Sequence, residues 1–344
     1  MRYPKFLEKK STIGFIAPSF GCVIEPYHSA FKNALRKFQV MGYKTDIGPN
    51  CYLSDGVGIS TRPEACAEEL NSYYESSDNQ MLISCGGGEL MCEILDFIDF
   101  RKIRDAEAKW YLGYSDNTNF TYTSAVLCDT ASIYGPCAPT FGMEEWDQAL
   151  IDVWNLVEGK KTEFMGYDKW EISSLKSVDY PYVSYNKTED KILKIYDGKE
   201  IIQGEVEFSG RLLGGCLDTL ITLAGTKYDK TREFAEKYKD DGIIFFLEAC
   251  DLSVLQVRRV LWQLRQIGWF ENMKGFIFGR PVHFDEPEIG VDRHEAVLAH
   301  LRDMGVPVVM DADLGHLPPA IPFVCGAFAE VKAGRNIRIR YNFK

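Results

Sequence analysis

Trp110-Tyr111-Leu112-Gly113-Tyr114-Ser115-Asp116-Asn117-Thr118-Asn119-Phe120 is the stretch around which the chain is organised. Trp110 to Leu112 form a short apolar and aromatic run that reads as a buried strand, and residues 118–127 carry apolar side chains at helical spacing. Asp116 or Asn117 stands where a helix cap belongs, so Ser115 falls on the turn from strand to helix. Such a turn exposes a hydroxyl and points the first helical N–H groups at whatever that hydroxyl attacks. Gly113-x-Ser115-x-Asn117 departs from the Gly-x-Ser-x-Gly of many hydrolases. Two readings stand: a nucleophilic serine, or a Ser-Asp-Asn cluster that only caps a helix.

Toward the N-terminus the same alternation recurs. The spacing predicts a strand over 12–17, an amphipathic helix over 26–41, a strand over 43–47 and a helix over 62–75 with Pro63 in its first turn. Met81-Leu82-Ile83-Ser84 is a further buried strand. Strand alternating with helix implies an α/β fold whose N-terminal domain is a Rossmann-like parallel sheet. Cys85-Gly86-Gly87-Gly88 then opens a predicted helix over 89–97, without the Lys-Ser/Thr of a P-loop or the spacing of a dinucleotide fingerprint. This loop is either a plain tight turn or a place where backbone N–H groups approach a reacting oxygen, since glycine lets the main chain come close.

Toward the C-terminus, a strand over 131–134 and a helix over 144–156 complete an expected first domain, residues 1–157. Residues 158–204 are polar and irregular, with aromatic residues at intervals, and read as a connecting segment whose aromatics either line a cleft or pack on a sheet. A second α/β domain is expected over 205–344. It opens with a strand over 204–208 and a glycine-rich turn, Gly210 to Gly215, before a helix. Ile243-Ile244-Phe245-Phe246-Leu247 is an apolar strand with Glu248 at its end, where a carboxylate is costly unless paired or at the rim of a site. A helix over 254–267, a strand over 275–279, a helix over 296–304, a strand over 306–310 and a hairpin around Gly334 follow.

The totals narrow the function. A net charge of −11 over 344 residues argues against nucleic acid or an anionic membrane as partner, since both demand basic patches. Ten scattered cysteines with no Cys-x-x-Cys read as reduced thiols. The start of the chain lacks a signal-peptide core and no apolar run is long enough to span a bilayer, so a cytoplasmic location is expected. No His/Cys/Asp cluster has zinc spacing; neither a metal nor a cofactor is expected.

A serine nucleophile needs a base and a group that holds the base in one tautomer. Of five histidines, His28, His283, His294 and His300 read as surface or capping residues, whereas His316 sits in a Gly/Pro-restricted loop after a strand, Gly315-His316-Leu317-Pro318-Pro319.

Gly113-Tyr114-Ser115-Asp116, Gly210-Arg211-Leu212-Leu213-Gly214-Gly215, Leu247-Glu248 and Gly315-His316 with its following prolines, in that order along nearly the whole chain, resemble the LD-carboxypeptidase family of serine peptidases. That family includes muropeptide LD-carboxypeptidases and microcin C self-immunity hydrolases. The resemblance implies two domains with the active site in the cleft between them, and a triad of Ser115 as nucleophile, His316 as base and Glu248 as orienting carboxylate. It also implies an oxyanion hole from the backbone N–H groups of Gly87 and Asp116, a small peptide or peptidyl-nucleotide substrate, and a homodimer. Ala249-Cys250 stands where many relatives have an acidic residue, and Cys216 where Asn is frequent. The length of the middle segment favours the microcin immunity branch, in which aromatics stack on a nucleoside; Trp170 is the matching candidate. The rival is a non-catalytic two-domain protein that binds a peptide or nucleotide.

Overall fold

The structure is a computed structural model that describes residues 1–55, 58–198 and 200–343. It divides into two compact units, Met1–Lys161 with Ser173–Asn186 and Thr162–Ile172 with Lys187–Lys344. Gly56, Val57, Lys199 and Lys344, which fall in the expected first domain, connection and second domain, lie outside the described residues.

The first unit is built from β1 (Thr12–Ile16), α1 (Tyr27–Val40), β2 (Lys44–Ile47), α2 (Pro63–Glu75), β3 (Met81–Ser84), α3 (Phe100–Asp105), β4 (Trp110–Gly113), α4 (Thr118–Cys128), β5 (Ser132–Tyr134) and α5 (Gln148–Val157). Its strands run parallel in the order β5-β4-β3-β1-β2. Helices cover both faces of such a sheet, so its central strands are apolar throughout, and every residue of β3 and β4 is buried. One face of α1 supplies Ala30, Phe31, Ala34, Leu35 and Phe38 to the core. Phe38 meets Phe141 and Trp154 there, with ring centroids 5.4 and 4.8 Å away. The helix expected after the glycine loop is a 3₁₀ segment, Met91–Phe97.

The second unit comprises β6 (Glu163–Met165), β7 (Lys169–Trp170), β8 (Glu189–Asp190), β9 (Lys194–Asp197), β10 (Glu200–Ile201), β11 (Val206–Cys216), α6 (Leu217–Leu223), α7 (Thr231–Lys237), β12 (Ile243–Glu248), α8 (Val254–Gln266), β13 (Met273–Gly279), α9 (Arg293–Leu301), β14 (Val308–Ala312), β15 (Phe323–Cys325), β16 (Phe328–Ala333) and β17 (Ile337–Asn342). A nine-stranded sheet runs β10-β9-β14-β13-β12-β11-β16-β17-β6, parallel from β14 to β11 and antiparallel outside them. β7 and β8 form a separate ribbon.

One expectation is overturned here. Residues 210–215 do not turn before a helix; they continue β11, an 11-residue strand. Gly214 takes φ +151°, and a Cβ on it would stand 1.8 Å from the carbonyl oxygen of Phe246 on β12. The glycine serves close packing of two strands rather than a bend.

Candidate active site

In the first unit, Ser115 leaves β4 by an abrupt change of backbone direction. Tyr114 is extended (φ −136°, ψ −175°) and Ser115 itself takes φ +62°. The left-handed region costs an L-residue about 1–2 kcal/mol. The Ser115 N–H donates to the Tyr134 hydroxyl at 3.1 Å, which fixes the turn. A 3₁₀ turn, Ser115–Asn117, then leads into α4.

Neither expected cap caps. Asn117 instead braces the serine turn against the glycine turn: its Nδ2 donates to Gly86 O at 2.8 Å and Tyr114 O at 3.0 Å, while its Oδ1 accepts from the Tyr111 hydroxyl. The Asp116 carboxylate is buried and accepts from Ser19 Oγ at 2.5 Å, Met91 N at 2.9 Å and Asn119 Nδ2 at 2.9 Å. Burial raises its pKa, and those bonds oppose the rise.

Gly87 lies against the nucleophile candidate. A Cβ at Gly87 would stand 3.0 Å from both Cβ and Oγ of Ser115 and 3.9 Å from the Asp116 nitrogen, so a side chain here would crowd the hydroxyl. The Phe20 N–H holds the Gly87 carbonyl at 2.9 Å. Among the described residues, the backbone N–H groups of Gly87 and Asp116 have no acceptor and the Ser115 hydroxyl has no hydrogen-bond partner. Donors beside a hydroxyl and unspent on the protein are what a developing oxyanion needs.

In the second unit, Glu248 is the last residue of β12 and is 1% exposed. Its Oε2 lies 2.8 Å from His316 Nδ1. A carboxylate only accepts, so Nδ1–H donates to it and Nε2 of the neutral ring carries the lone pair. The loop comes this close because residue 315 lacks a side chain. Gly315 has φ +98°, and a Cβ there would stand 2.7 Å from Glu248 Oε2. Burial lowers the His316 pKa, but the charge of Glu248 and hydrogen bonds with Cys250 and Glu248 outweigh it and hold the imidazole well above its usual value. The Cys250 thiol, pushed up by burial and pulled down by His316, rests beside the ring. Asp218, in the first turn of α6, anchors the chain after Glu248 by accepting the N–H groups of Cys250, Asp251 and Leu252 at 2.8–3.0 Å.

Each unit thus gathers some of the candidate residues. The structure brings Ser115, Gly87 and Asp116 together in one, and Glu248 and His316 in the other. Trp170 lies in the second unit: it is 2% exposed, its Nε1 donates to Asp190 O at 3.0 Å, and its ring packs on Arg280 and Phe284. Its ring is therefore committed to protein contacts, and the exposed aromatics of the middle segment are Tyr180 and Tyr182. Of the other four histidines, His28 bonds Cys22 O, His283 bonds Glu286, His294 lies between Tyr196 and Asp311, and His300 stands in the last turn of α9. Asn117, Tyr134 and Asp218 escaped the sequence reading, since a polar side chain near a helix start is read as a cap and its distant partner is not visible. Among the described residues no cluster of His, Cys, Asp or Glu is arranged to hold a metal ion, and no helix is long and apolar enough to cross a membrane.

Comparison with known proteins gives matches in both units. The LD-carboxypeptidase N-terminal domain matches residues 13–135 and the LD-carboxypeptidase C-terminal domain residues 209–331. The microcin C7 self-immunity protein MccF of Escherichia coli is 25% identical over 92% of this chain and 88% of its own length. A Vibrio cholerae protein that bears a provisional carboxypeptidase name is 24% identical over 93% of this chain and 92% of its own. Among solved structures, an MccF-like protein from Bacillus anthracis superposes with a TM-score of 0.82 at 20% identity, over 99% of this chain and 100% of the other. MccF in complex with aspartyl sulfamoyl adenosine superposes with a TM-score of 0.79 at 21% identity, over 99% of this chain and 98% of the other. With both domains matched in order, the chain belongs to the LD-carboxypeptidase family and is a hydrolase of serine-peptidase type.

Proposed function

We propose that the protein hydrolyses an amide bond near the carboxyl end of a small peptide or aminoacyl conjugate through an acyl-enzyme, with Ser115, His316 and Glu248 as one triad. The observation that carries this reading is the Ser115 turn: a left-handed serine whose hydroxyl lies against Gly87, beside two unspent backbone N–H groups. In the proposed reaction Oγ attacks the carbonyl carbon as its proton passes to His316 Nε2. The N–H groups of Gly87 and Asp116 hold the oxyanion, and the imidazolium, stabilised by Glu248, then returns the proton to the leaving amine. Water enters against the same base, and its attack on the ester releases the carboxylate product and free Ser115.

Of the two substrate classes the family suggests, we favour an aminoacyl or peptidyl nucleotide conjugate over a muropeptide. Related structures superpose over nearly the whole chain, and one of them holds aspartyl sulfamoyl adenosine. Ten free thiols, of which only Cys92 and Cys250 are not buried, support work in a reducing compartment, and we place the protein in the cytoplasm as a homodimer.

The test is mass spectrometry of wild-type and Ser115→Ala protein, each incubated with an aminoacyl sulfamoyl adenosine and, separately, with a muropeptide tetrapeptide. Cleavage of the conjugate by wild type alone is expected. Loss of the terminal D-alanine instead would move the protein to cell-wall turnover, and binding without cleavage of either would make it a binding protein.

A further inference from the structure

We propose that Arg280 is the positioning residue for His316, a role that rests on His316 being the base of the reaction proposed above. Arg280 follows β13 directly, beside the end of β12 that carries Glu248. It is 0% exposed. Burying a guanidinium is costly unless it is paired; the Nε of Arg280 has no partner among the described residues, and both terminal nitrogens are spent on the His316 loop. One terminal nitrogen, NH1, donates to Asp313 Oδ1 at 2.7 Å and to the Asp311 carbonyl at 3.2 Å. The other, NH2, donates to the Leu317 carbonyl at 3.1 Å, with the Pro319 carbonyl at 3.5 Å. The contacts fall on both sides of His316 in sequence: two before it, two after it. The fork therefore pins both arms of the loop while the imidazole, between them, meets Glu248 at 2.8 Å.

The clamp is itself clamped. Asp313 Oδ2 accepts the Tyr167 N–H at 2.7 Å, and its carbonyl accepts the Ile321 N–H at 2.9 Å, which closes the loop at its base. Asp311, at φ +60°, has its carboxylate held by Arg293 at 2.8 Å and by His294 at 2.7 Å, so the carbonyl that Arg280 binds is fixed. The Trp170 ring lies over the guanidinium, 4.9 Å from centroid to Cζ, and Glu171 N–H holds the Pro318 carbonyl at 2.8 Å. Lysine at 280 would keep the charge beside Asp313 but lacks the planar fork that reaches both arms.

The experiment compares wild type with Arg280→Lys, and with the double variant Arg280→Met/Asp313→Asn, which leaves no unpaired buried charge. The first readout is the His316 Nδ1–H proton by NMR of histidine-labelled protein, assigned with His316→Gln. The second is kcat and KM on aspartyl sulfamoyl adenosine. We expect Arg280→Lys to melt near wild type, to broaden the His316 proton, and to lose about 10- to 100-fold in kcat with KM little changed, the signature of a misplaced group rather than of lost binding. The double variant should show the same losses, and it replaces Arg280→Lys if that protein does not fold. An unbroadened proton together with wild-type kcat in either folded variant overturns the proposal. Should wild type cleave nothing, the hydrolytic reading fails, while broadening of the proton in the variants still establishes the clamp.

Discussion

The left-handed serine allows a test in which stability and activity move in opposite directions. Ser115→Ala removes the hydroxyl but keeps a Cβ at φ +62°; Ser115→Gly removes both. At an ordinary helical position glycine is the worse of the two by about 1 kcal/mol. Here the alanine still carries the left-handed penalty of about 1–2 kcal/mol. Glycine escapes it but gives back about 0.5–1 kcal/mol through the extra freedom of the unfolded chain. The difference leaves Ser115→Gly more stable than Ser115→Ala by about 0.5–1 kcal/mol. At roughly 2–4 °C per kcal/mol for a unit of this size, that is about 1–4 °C in Tm. Both variants should lose kcat on the order of 10⁶-fold if Ser115 is the nucleophile. Paired melting curves and a single turnover assay read both effects. A Ser115→Gly protein that melts below Ser115→Ala would refute the strain argument, and activity retained in either would remove Ser115 from the chemistry.

Three further outcomes are expected. Glu248→Gln should lower kcat by about 10⁴-fold, because the amide no longer stabilises the imidazolium or selects the tautomer. Since Glu248 raises the His316 pKa against burial, the acid limb of kcat/KM against pH should sit above pH 6.5 in wild type and shift downward in the variant; an unmoved limb would detach His316 from the profile. Gly315→Ala places a methyl 2.7 Å from Glu248 Oε2 at φ +98°, so overlap and backbone strain together should cost about 2–5 kcal/mol in urea denaturation and impair turnover, whereas a neutral result would mean that the loop yields freely. Glu69, buried while accepting the N–H groups of Ala17 and Asn50, has its pKa raised by burial to about 7 from 4.5. The folded state therefore holds an extra proton between those values, a stabilisation complete below pH 4.5 and lost as pH rises through about 7. It amounts to about 3 kcal/mol, opposite in sign to the usual carboxylate. Urea midpoints that climb across this window would contradict it.

How much of this was visible beforehand depended on whether a feature was local. β3 was read at its observed bounds, Met81–Ser84, because four buried residues between polar turns leave little choice of period. Glu248 at the end of an apolar strand stood out because a carboxylate there contradicts its surroundings, and that contradiction is itself a signal. The glycines of β11 misled because glycine at a bend and glycine under a neighbouring strand look alike; only the Phe246 carbonyl decides, and it is 32 residues away in sequence. Asn117 and Asp116 misled in the same way. Each has a cap-like position, yet their partners, Gly86 for one and Ser19 for the other, lie on other loops. Trp170 is named by the resemblance alone, and its packing on Arg280 and Phe284 is a long-range contact that the polar segment around it does not announce.

Five places where the chain breaks its own local rules share one position in the fold. Ser115 in the left-handed region follows β4, Gly87 follows β3, Glu248 ends β12, Arg280 follows β13, and the loop of His316 follows β14. Within each unit these strands run parallel, so the irregularities gather at one end of each sheet, the carboxyl end, where open α/β sheets keep their ligands. A protein selected only to bind has a use for exposed donors at such an edge. It has none for a serine held at a cost of about 1–2 kcal/mol. Strain on a hydroxyl lowers stability, and it is accounted for if the hydroxyl must attack and an imidazole must take its proton. A second use for the same geometry would have to explain why that cost falls on a serine hydroxyl.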